Sequence, residues 1–304
     1  MLRTALGPMI SAYLDDPSIA EVMLNPEGSL WIDRLSSGLE NTGARVTPAD
    51  AERIVRLIAH HVGIEVHASR PWVSAEFPET GERFEGLLPP LVTAPCFAIR
   101  RPAIAIYTLA DYAATGIMSE AHAEILRAAV HDRKNVLVAG GSSTGKTTLV
   151  NALLAEIANS GDRIVLIEDA RELQCTVPNL VTLRTKDGVA SLSDLVRSAL
   201  RLRPDRIPIG EVRGAEALYL LKAWGTGHPG GICTLHAGSA MGALHRLEQL
   251  IQEAVVTVPR ALIAETIDLI AVLSGRGAAR RLTELVAVKG LSSTGDYILT
   301  QAGD

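Results

Sequence analysis

Aromatic side chains are scarce in this chain, at 4% of its 304 residues, although 47% of them are hydrophobic. Its cores must therefore be packed from Leu, Ile, Val and Ala. Cysteine is scarcer still. Cys96, Cys175 and Cys233 are odd in number, far apart and never in a CxxC pair, which excludes a disulfide framework and a thiolate zinc staple and fits a reducing compartment. A basic surplus is also missing: 29 Lys and Arg face 34 Asp and Glu, for a formal charge of −5. That balance argues against a nucleic-acid-binding surface, which needs locally concentrated Lys and Arg to neutralise phosphates. No apolar run reaches the ~18 residues of a membrane span; even Ala261 to Leu273 is broken by Glu265 and Asp268. The N-terminus, with one Arg and a short apolar stretch interrupted by Gly7 and Pro8, makes a poor signal peptide. The expectation is a soluble, cytosolic protein whose membrane contact is peripheral.

A length of 304 residues favours two domains. In the first hundred, Ile19 to Leu24 and Ser29 to Leu35 flank the hairpin turn Asn25-Pro26-Glu27-Gly28. Thr47-Pro48-Ala49-Asp50 opens a helix, with Thr47 as cap and Asp50 completing a capping box, and Ile54, Leu57, Ile58 and Val62 follow at helical spacing. Trp72 to Phe77, Arg83 to Leu88 and Phe97 to Arg101 read as strands. A small α+β domain over 1–102 is expected, then a linker over 103–118 without a long periodic stretch.

Beyond it strands and helices alternate. Asn135 to Ala139, Arg163 to Glu168, Ile207 to Glu211 and Gly231 to His236 are the strands, with helices from Lys146, over Leu192 to Leu202, and from Ala215 and Ala240. Ile267 to Leu273, Leu282 to Val288 and Tyr297 to Gln301 look like added strands. Such alternation implies a mostly parallel sheet covered by helices, so 119–304 is expected to form an α/β domain.

Gly140-Gly141-Ser142-Ser143-Thr144-Gly145-Lys146-Thr147 matches GxxxxGK[ST] in full. The strand Val136 to Val138 precedes it and the apolar helix Thr148 to Ile157 follows. Glycines let backbone N–H groups converge on phosphate oxygens, and the helix N-terminus adds favourable partial charge. Lys146 is expected to reach the β and γ phosphates of ATP and the Thr147 hydroxyl to ligate Mg²⁺, with Thr148 closing the phosphate-binding set.

Hydrolysis also requires a carboxylate near the metal and a group to orient water. Glu211 ends the apolar stretch Ile207-Pro208-Ile209-Gly210, the Walker B position, and is the candidate metal and catalytic acid. Pro208 removes a ladder donor, so a bulge is expected there. The other reading of Glu211 is a simple pair with Arg213. Glu168 ends a second apolar strand, where ligands of open α/β sheets collect; it polarises water, or else Glu168 or Asp169 caps the next loop or pairs with Arg171. His236 ends a third strand, with His228 before it. Arg184, Arg197, Arg201 and Arg203 read as a solvated face.

The order of these motifs resembles the traffic ATPases of type II and type IV secretion. After the phosphate loop come IEDxxE at Ile167 to Glu172, RLRPDRIxxGEVRGAEA at Arg201 to Ala217, and TGHxGxxxTLHA at Thr226 to Ala237. The resemblance covers most of residues 100–275. It implies a RecA-like P-loop NTPase domain, with Glu168 and Asp169 in an Asp box, Glu211 in Walker B and His236 in a His box as a functional residue. It further implies a ring, typically a hexamer, with nucleotide bound between the domains and N-terminal arginines reaching the phosphates; Arg100 and Arg101 match that place, and Arg101 is carried as catalytic. Compact length and the lack of a tetracysteine metal module point to the VirB-eleven-like, conjugation-linked branch. Membership there implies inner-membrane channel components as partners, no direct DNA binding, and a cytoplasmic protein held peripherally at the inner membrane. The competing readings are a nucleic-acid motor of the helicase or packaging type, and a nucleotide-dependent scaffold that does not hydrolyse.

Overall fold

The computed structural model describes residues 2–77, 80–102, 107–186 and 188–303, with only the backbone for 2–5. Its contacts divide it into two compact units, Met1–Ile104 and Ala105–Asp304.

In the first unit, helix α1 (Leu2–Asp15) breaks at Gly7, whose φ of 81° is non-helical and precedes Pro8. That break hid the helix from a periodicity reading, yet Leu6, Ile10 and Leu14 are buried on one side of it. Strands β1 (Ile19–Leu24), β2 (Ser29–Arg34) and β3 (Gly38–Arg45) precede helix α2 (Pro48–His61), and β4 (Trp72–Glu76), β5 (Arg83–Leu87) and β6 (Cys96–Arg100) follow. They form an antiparallel sheet ordered β3-β2-β1-β6-β5-β4. The Thr47 hydroxyl accepts from the Asp50 amide at 3.1 Å, but the Asp50 carboxylate bonds that hydroxyl in return, not a backbone N–H. Leu57, expected in the apolar stripe of α2, is 44% exposed; Ala51, Ile54, Val55, Ile58 and Ala59 make the buried face. All 3 phenylalanines of the chain lie here, Phe84 between Phe77 and Phe97 at 6.2 and 5.5 Å.

In the second unit, α3 (Leu109–Ala114) and α4 (Glu120–His131) lead into β7 (Val136–Gly140), α5 (Lys146–Glu156), β8 (Ile164–Glu168) and β9 (Leu180–Arg184). Then come α6 (Leu192–Ala199), β10 (Ile209–Glu211), α7 (Glu216–Gly225), β11 (Ile232–His236), α8 (Ala240–Gln252), α9 (Arg260–Thr266), β12 (Leu269–Ser274), β13 (Arg281–Leu291) and β14 (Tyr297–Gln301). The sheet runs β14-β13-β12-β7-β11-β10-β8-β9. From β12 to β9 every pairing is parallel, and β13 and β14 extend the sheet antiparallel.

Helix α3 falls inside the span expected as a linker. At 6 residues it is too short to show a period, but a reciprocal Thr108–Asp111 cap holds it and Leu109 and Tyr112 are fully buried. Strand β7 explains the two apolar layers. Leu137 and Ala139 join the core under α6, α7 and α8, while Val136 and Val138 face α3, α4 and α5. Pro208 lies just outside β10, where its carbonyl still accepts from the Ile167 amide at 3.0 Å, and the β10–β11 register shifts between Ile209 and Glu211. The proline thus contributes an acceptor where it cannot donate, and the irregularity sits beside it as expected.

Gly231, at the start of β11, leaves no space for a side chain: a Cβ there would overlap the Trp224 indole. That indole is buried and donates to the Ile207 carbonyl at 3.0 Å. Gly231→Ala should therefore destabilise this unit by about 1–3 kcal/mol, seen as a lower urea midpoint at constant m-value. An unchanged midpoint would show that the indole moves aside without cost.

Candidate nucleotide-binding site

Parallel register decides what meets at the carboxyl edge of the second sheet. Gly140, the last residue of β7, pairs with His236 of β11 on one side and with Leu273 of β12 on the other. Glu211 ends β10 next to β11, opposite Thr234, and Glu168 ends β8. The phosphate loop therefore leaves its strand among three strand ends that carry chemistry.

The loop's conformation follows from residues that tolerate it. Gly145 caps α5 at φ 93° and Ser143 sits at φ 62°, both in the left-handed region that favours glycine. The Thr144 hydroxyl ties the turn by donating to the Gly141 carbonyl at 3.0 Å. Lys146, only 8% exposed, donates to the carbonyls of Gly140 at 3.1 Å and Gly141 at 2.9 Å. Its ammonium lies 3.4 Å from His236 Nδ1. Ser142 and Thr148 complete the set, Ser142 exposed at the loop and Thr148 in the first turn of α5.

His236 Nε2 lies 2.9 Å from Glu211 Oε1, but outside hydrogen-bond geometry, so that buried carboxylate oxygen has no hydrogen-bond partner. The other oxygen, Oε2, accepts from Arg213 at 2.5 Å. The alternative reading of Glu211 as an ion-pair partner is thus realised on one oxygen while the second stays available. Partial burial and then the Lys146 charge lower the pKa of His236 below its ordinary value, against the opposing pull of Glu211. The imidazole is neutral near pH 7.

Glu168 behaves differently. It is 2% exposed, and its Oε2 accepts from the amides of Glu172 at 2.9 Å and Leu173 at 3.0 Å. Burial raises its pKa in spite of those two amides. Of the two readings open for Glu168, loop capping is the one its hydrogen bonds display. Asp169 accepts from the Thr185 hydroxyl at 2.9 Å and lies 3.7 Å from Arg213.

The capped loop delivers a residue that sequence reasoning left unassigned. Glu172 Oε2 accepts from the Thr147 hydroxyl at 3.1 Å. Asn151, one turn along α5 from Thr147 and 1% exposed, donates to the Glu172 carbonyl at 3.1 Å and accepts from the Gln174 amide at 2.9 Å. Two signals could have found this clamp: Glu172 is the last acid of IEDxxE, and Thr147 and Asn151 share one helix face at i and i+4. Among the described residues no cluster of three or more His, Cys, Asp or Glu side chains forms a metal cage.

The remaining candidates separate. His228 is held by the Pro204 carbonyl, 2.9 Å from Nδ1. Arg197 packs over the Tyr219 ring at 4.5 Å, and Arg184, Arg201 and Arg203 are exposed. In the first unit Arg100 is exposed at the end of β6, while the Arg101 amide donates to the Ala20 carbonyl at 2.9 Å and its guanidinium to the carbonyls of Asp16 and Ile19. An open cavity of the second unit lies at the opposite, amino ends of β7 and β12, beside Lys134 and Asp268, and contains none of the motif residues.

A parallel sheet ordered β12-β7-β11-β10-β8-β9, with a glycine-rich loop after β7 and acids on the neighbouring strand ends, defines a RecA-like P-loop ATPase fold. Residues 13–285 match the type II/IV secretion system protein family, and the chain belongs to it. It is 46% identical to the conjugal transfer protein TrbB of Rhizobium radiobacter over 95% of this chain and 90% of that protein. It is 33% identical to the type IV secretion system protein PtlH of Bordetella pertussis over 92% and 93%. Among solved structures it shares the fold of the Legionella pneumophila ATPase DotB, with a TM-score of 0.63 at 16% identity over 96% of this chain and 79% of that one. The pilus retraction motor PilT with bound ADP gives a TM-score of 0.61 at 20% identity over 96% and 80%. These relatives do not favour the nucleic-acid motor reading.

The lowered pKa of His236 makes stability depend on pH. A histidine depressed in the folded state binds fewer protons there than when unfolded, so it contributes stability above the unfolded pKa of 6.5 that is lost as pH falls through the lower folded value. The melting temperature of the wild type should thus fall as pH drops below about 6.5, and fall less in His236→Gln. Parallel acid limbs for the two proteins would remove His236 from this role.

Proposed function

We propose that the chain hydrolyses ATP with Mg²⁺ as a ring-forming ATPase, typically a hexamer, working on the cytoplasmic side of a type IV secretion or conjugal-transfer channel. One observation carries the reading. Lys146 at the start of α5 converges with Glu211 and His236, from the ends of adjacent strands β10 and β11, beside a full phosphate loop. Family membership and the conjugal-transfer and type IV secretion relatives support the cellular setting, with inner-membrane channel components as partners. Among the described residues no helix is long and apolar enough to cross a membrane.

In this reading the loop amides and the α5 N-terminus cradle the phosphates, and Lys146 exchanges the Gly140 and Gly141 carbonyls for β and γ phosphate oxygens. Mg²⁺ commonly takes one or two protein oxygens and leaves its other positions to phosphate and water. The Thr147 hydroxyl, facing a Glu172 carboxylate oxygen, and the unpartnered Oε1 of Glu211 fit that demand. The ion, when bound, neutralises charge developing on the β and γ oxygens. Glu211, whose buried Oε1 has no hydrogen-bond partner, would also orient the attacking water through that carboxylate. Neutral His236 has one N–H, which it can donate to the γ phosphate, while its Nδ1 faces the Lys146 ammonium. Glu168 acts one step back, fixing the loop that presents Glu172. Arg100 and Arg101 keep the phosphate-facing role that the family resemblance implies, in the assembled ring.

Phosphate release measured beside nucleotide binding tests the assignment. Lys146→Ala should abolish turnover, because the γ phosphate loses its positioning charge; retained activity would overturn the site. Glu211→Gln should still bind ATP while turnover falls by a factor of about 10²–10⁴, and unchanged turnover would remove Glu211 from the chemistry. Sedimentation with and without ATP should show the ring.

A further inference from the structure

We propose that Arg280, in the loop between β12 and β13, is a phosphate-binding residue of the nucleotide site, contributed by the same chain as the phosphate loop. The assignment rests on the reading of Gly140 to Thr147 as that site.

Topology supplies the proximity. β12 lies beside β7, with Leu273 opposite Gly140, so the segment after β12 starts at the edge where the phosphate loop starts. It then doubles back sharply. Gly275 has φ 73°, and a Cβ there would overlap the Ala279 carbonyl. The turn closes with Ala279 donating to Arg276 at 3.0 Å and Arg280 to Gly277 at 3.2 Å. The Arg280 guanidinium ends up against Gly145: a Cβ on that glycine would lie 2.8 Å from both Cζ and Nε of the arginine.

Charge supplies the function. Arg280 Nε is buried without a hydrogen-bond partner, and among the described residues its guanidinium enters no ion pair. Its neighbours are no better placed to neutralise it. Gly145 caps α5, so the guanidinium stands at the positive end of that helix dipole, beside the same loop whose Gly140 and Gly141 carbonyls hold the Lys146 ammonium. The buried Tyr112 phenol feels the Arg280 charge, but burial pushes its pKa up and keeps it neutral. Arg213, by contrast, is paired with Glu211 and lies near Asp169. Two side-chain cations and a helix N-terminus thus converge at one loop with no carboxylate on Arg280. An incoming polyphosphate is the anion that turns this repulsion into attraction, and a guanidinium fork suits two phosphate oxygens at once. A purely packing role for Arg280 would need only its aliphatic stem and not the charge.

The experiment measures affinities of the full chain for ATP and for inorganic tripolyphosphate, which has no base or ribose, in the wild type, R280K, R280M and R280A. The expected result is a loss of about tenfold or more for both ligands in R280A. R280M, which keeps an apolar stem against Gly145, should lose as much, and R280K should recover part of the loss. Melting temperatures measured without ligand should be unchanged or higher in R280M, since a repulsive charge has gone. Weakened ATP with unchanged tripolyphosphate would overturn the assignment in favour of base or ribose recognition. Unchanged affinities for both in R280M would overturn it in favour of packing. A wild type that binds neither ligand would sink the nucleotide site itself, and Arg280 with it.

Discussion

The structure of the site depends on how closely β12 approaches β7. Gly140 pairs with Leu273, and a Cβ on Gly140 would stand 2.5 Å from the Thr144 hydroxyl and 2.6 Å from the Leu273 carbonyl. Only a residue without a side chain lets the loop curl back over its own strand at that point. The curl turns the Gly140 and Gly141 carbonyls toward Lys146, sets His236 opposite, and leaves Gly145 bare for Arg280. A larger residue at Gly140 would displace each of these groups together, because all are referenced to the same strand end.

The two edges of this sheet treat ionisable groups in opposite ways. At the amino edge Asp162 is 4% exposed and Arg206 3%, and they bond at 2.6 Å while Arg206 also reaches the Val130 carbonyl. Burial works to raise the Asp162 pKa, but the Arg206 guanidinium outweighs it and holds the carboxylate below its usual range. At the carboxyl edge Glu168 has backbone amides and no such paired cation, and burial wins. Glu211 Oε1 and Arg280 Nε stay without hydrogen bonds there. Each such group costs free energy in the folded state, and a bound ligand would offset that cost. A closed ion pair on one edge and two unpartnered charged-group atoms on the other agree with the placement of the phosphate loop.

How much of this was legible in the sequence depends on whether the signal was local. The phosphate loop, β8 and β11 were readable because an apolar run ends in a distinctive residue at each, and the irregularity near β10 because Pro208 cannot donate. Strand β9 was missed: it sits at the sheet's edge and alternates between half-buried and exposed residues, so its five residues lack an apolar run. Leu57 was misplaced because helical spacing alone does not fix the angular width of the buried face. Glu172 stood in plain sight within IEDxxE, but its meeting with Thr147 depends on how Glu168 folds the intervening loop. Arg280 was invisible for a stronger reason. It follows the phosphate loop by well over a hundred positions, and its approach to Gly145 exists only because β12 was inserted next to β7 in the sheet.

That insertion also bears on how nucleotide is held. Lys146 already makes two hydrogen bonds to loop carbonyls, so its contribution to binding is the difference between phosphate oxygens and those carbonyls, not the full strength of a charged contact. Arg280 Nε makes none, so a phosphate contact at that atom displaces no protein partner. The lysine therefore serves position more than affinity, and the arginine affinity more than position. An ATPase that must release ADP in each cycle gains from this division, because the cation nearest the γ phosphate returns to ready acceptors when that phosphate leaves. The tightness of the remaining grip is then set from β12–β13, a segment outside every motif of the phosphate-binding machinery.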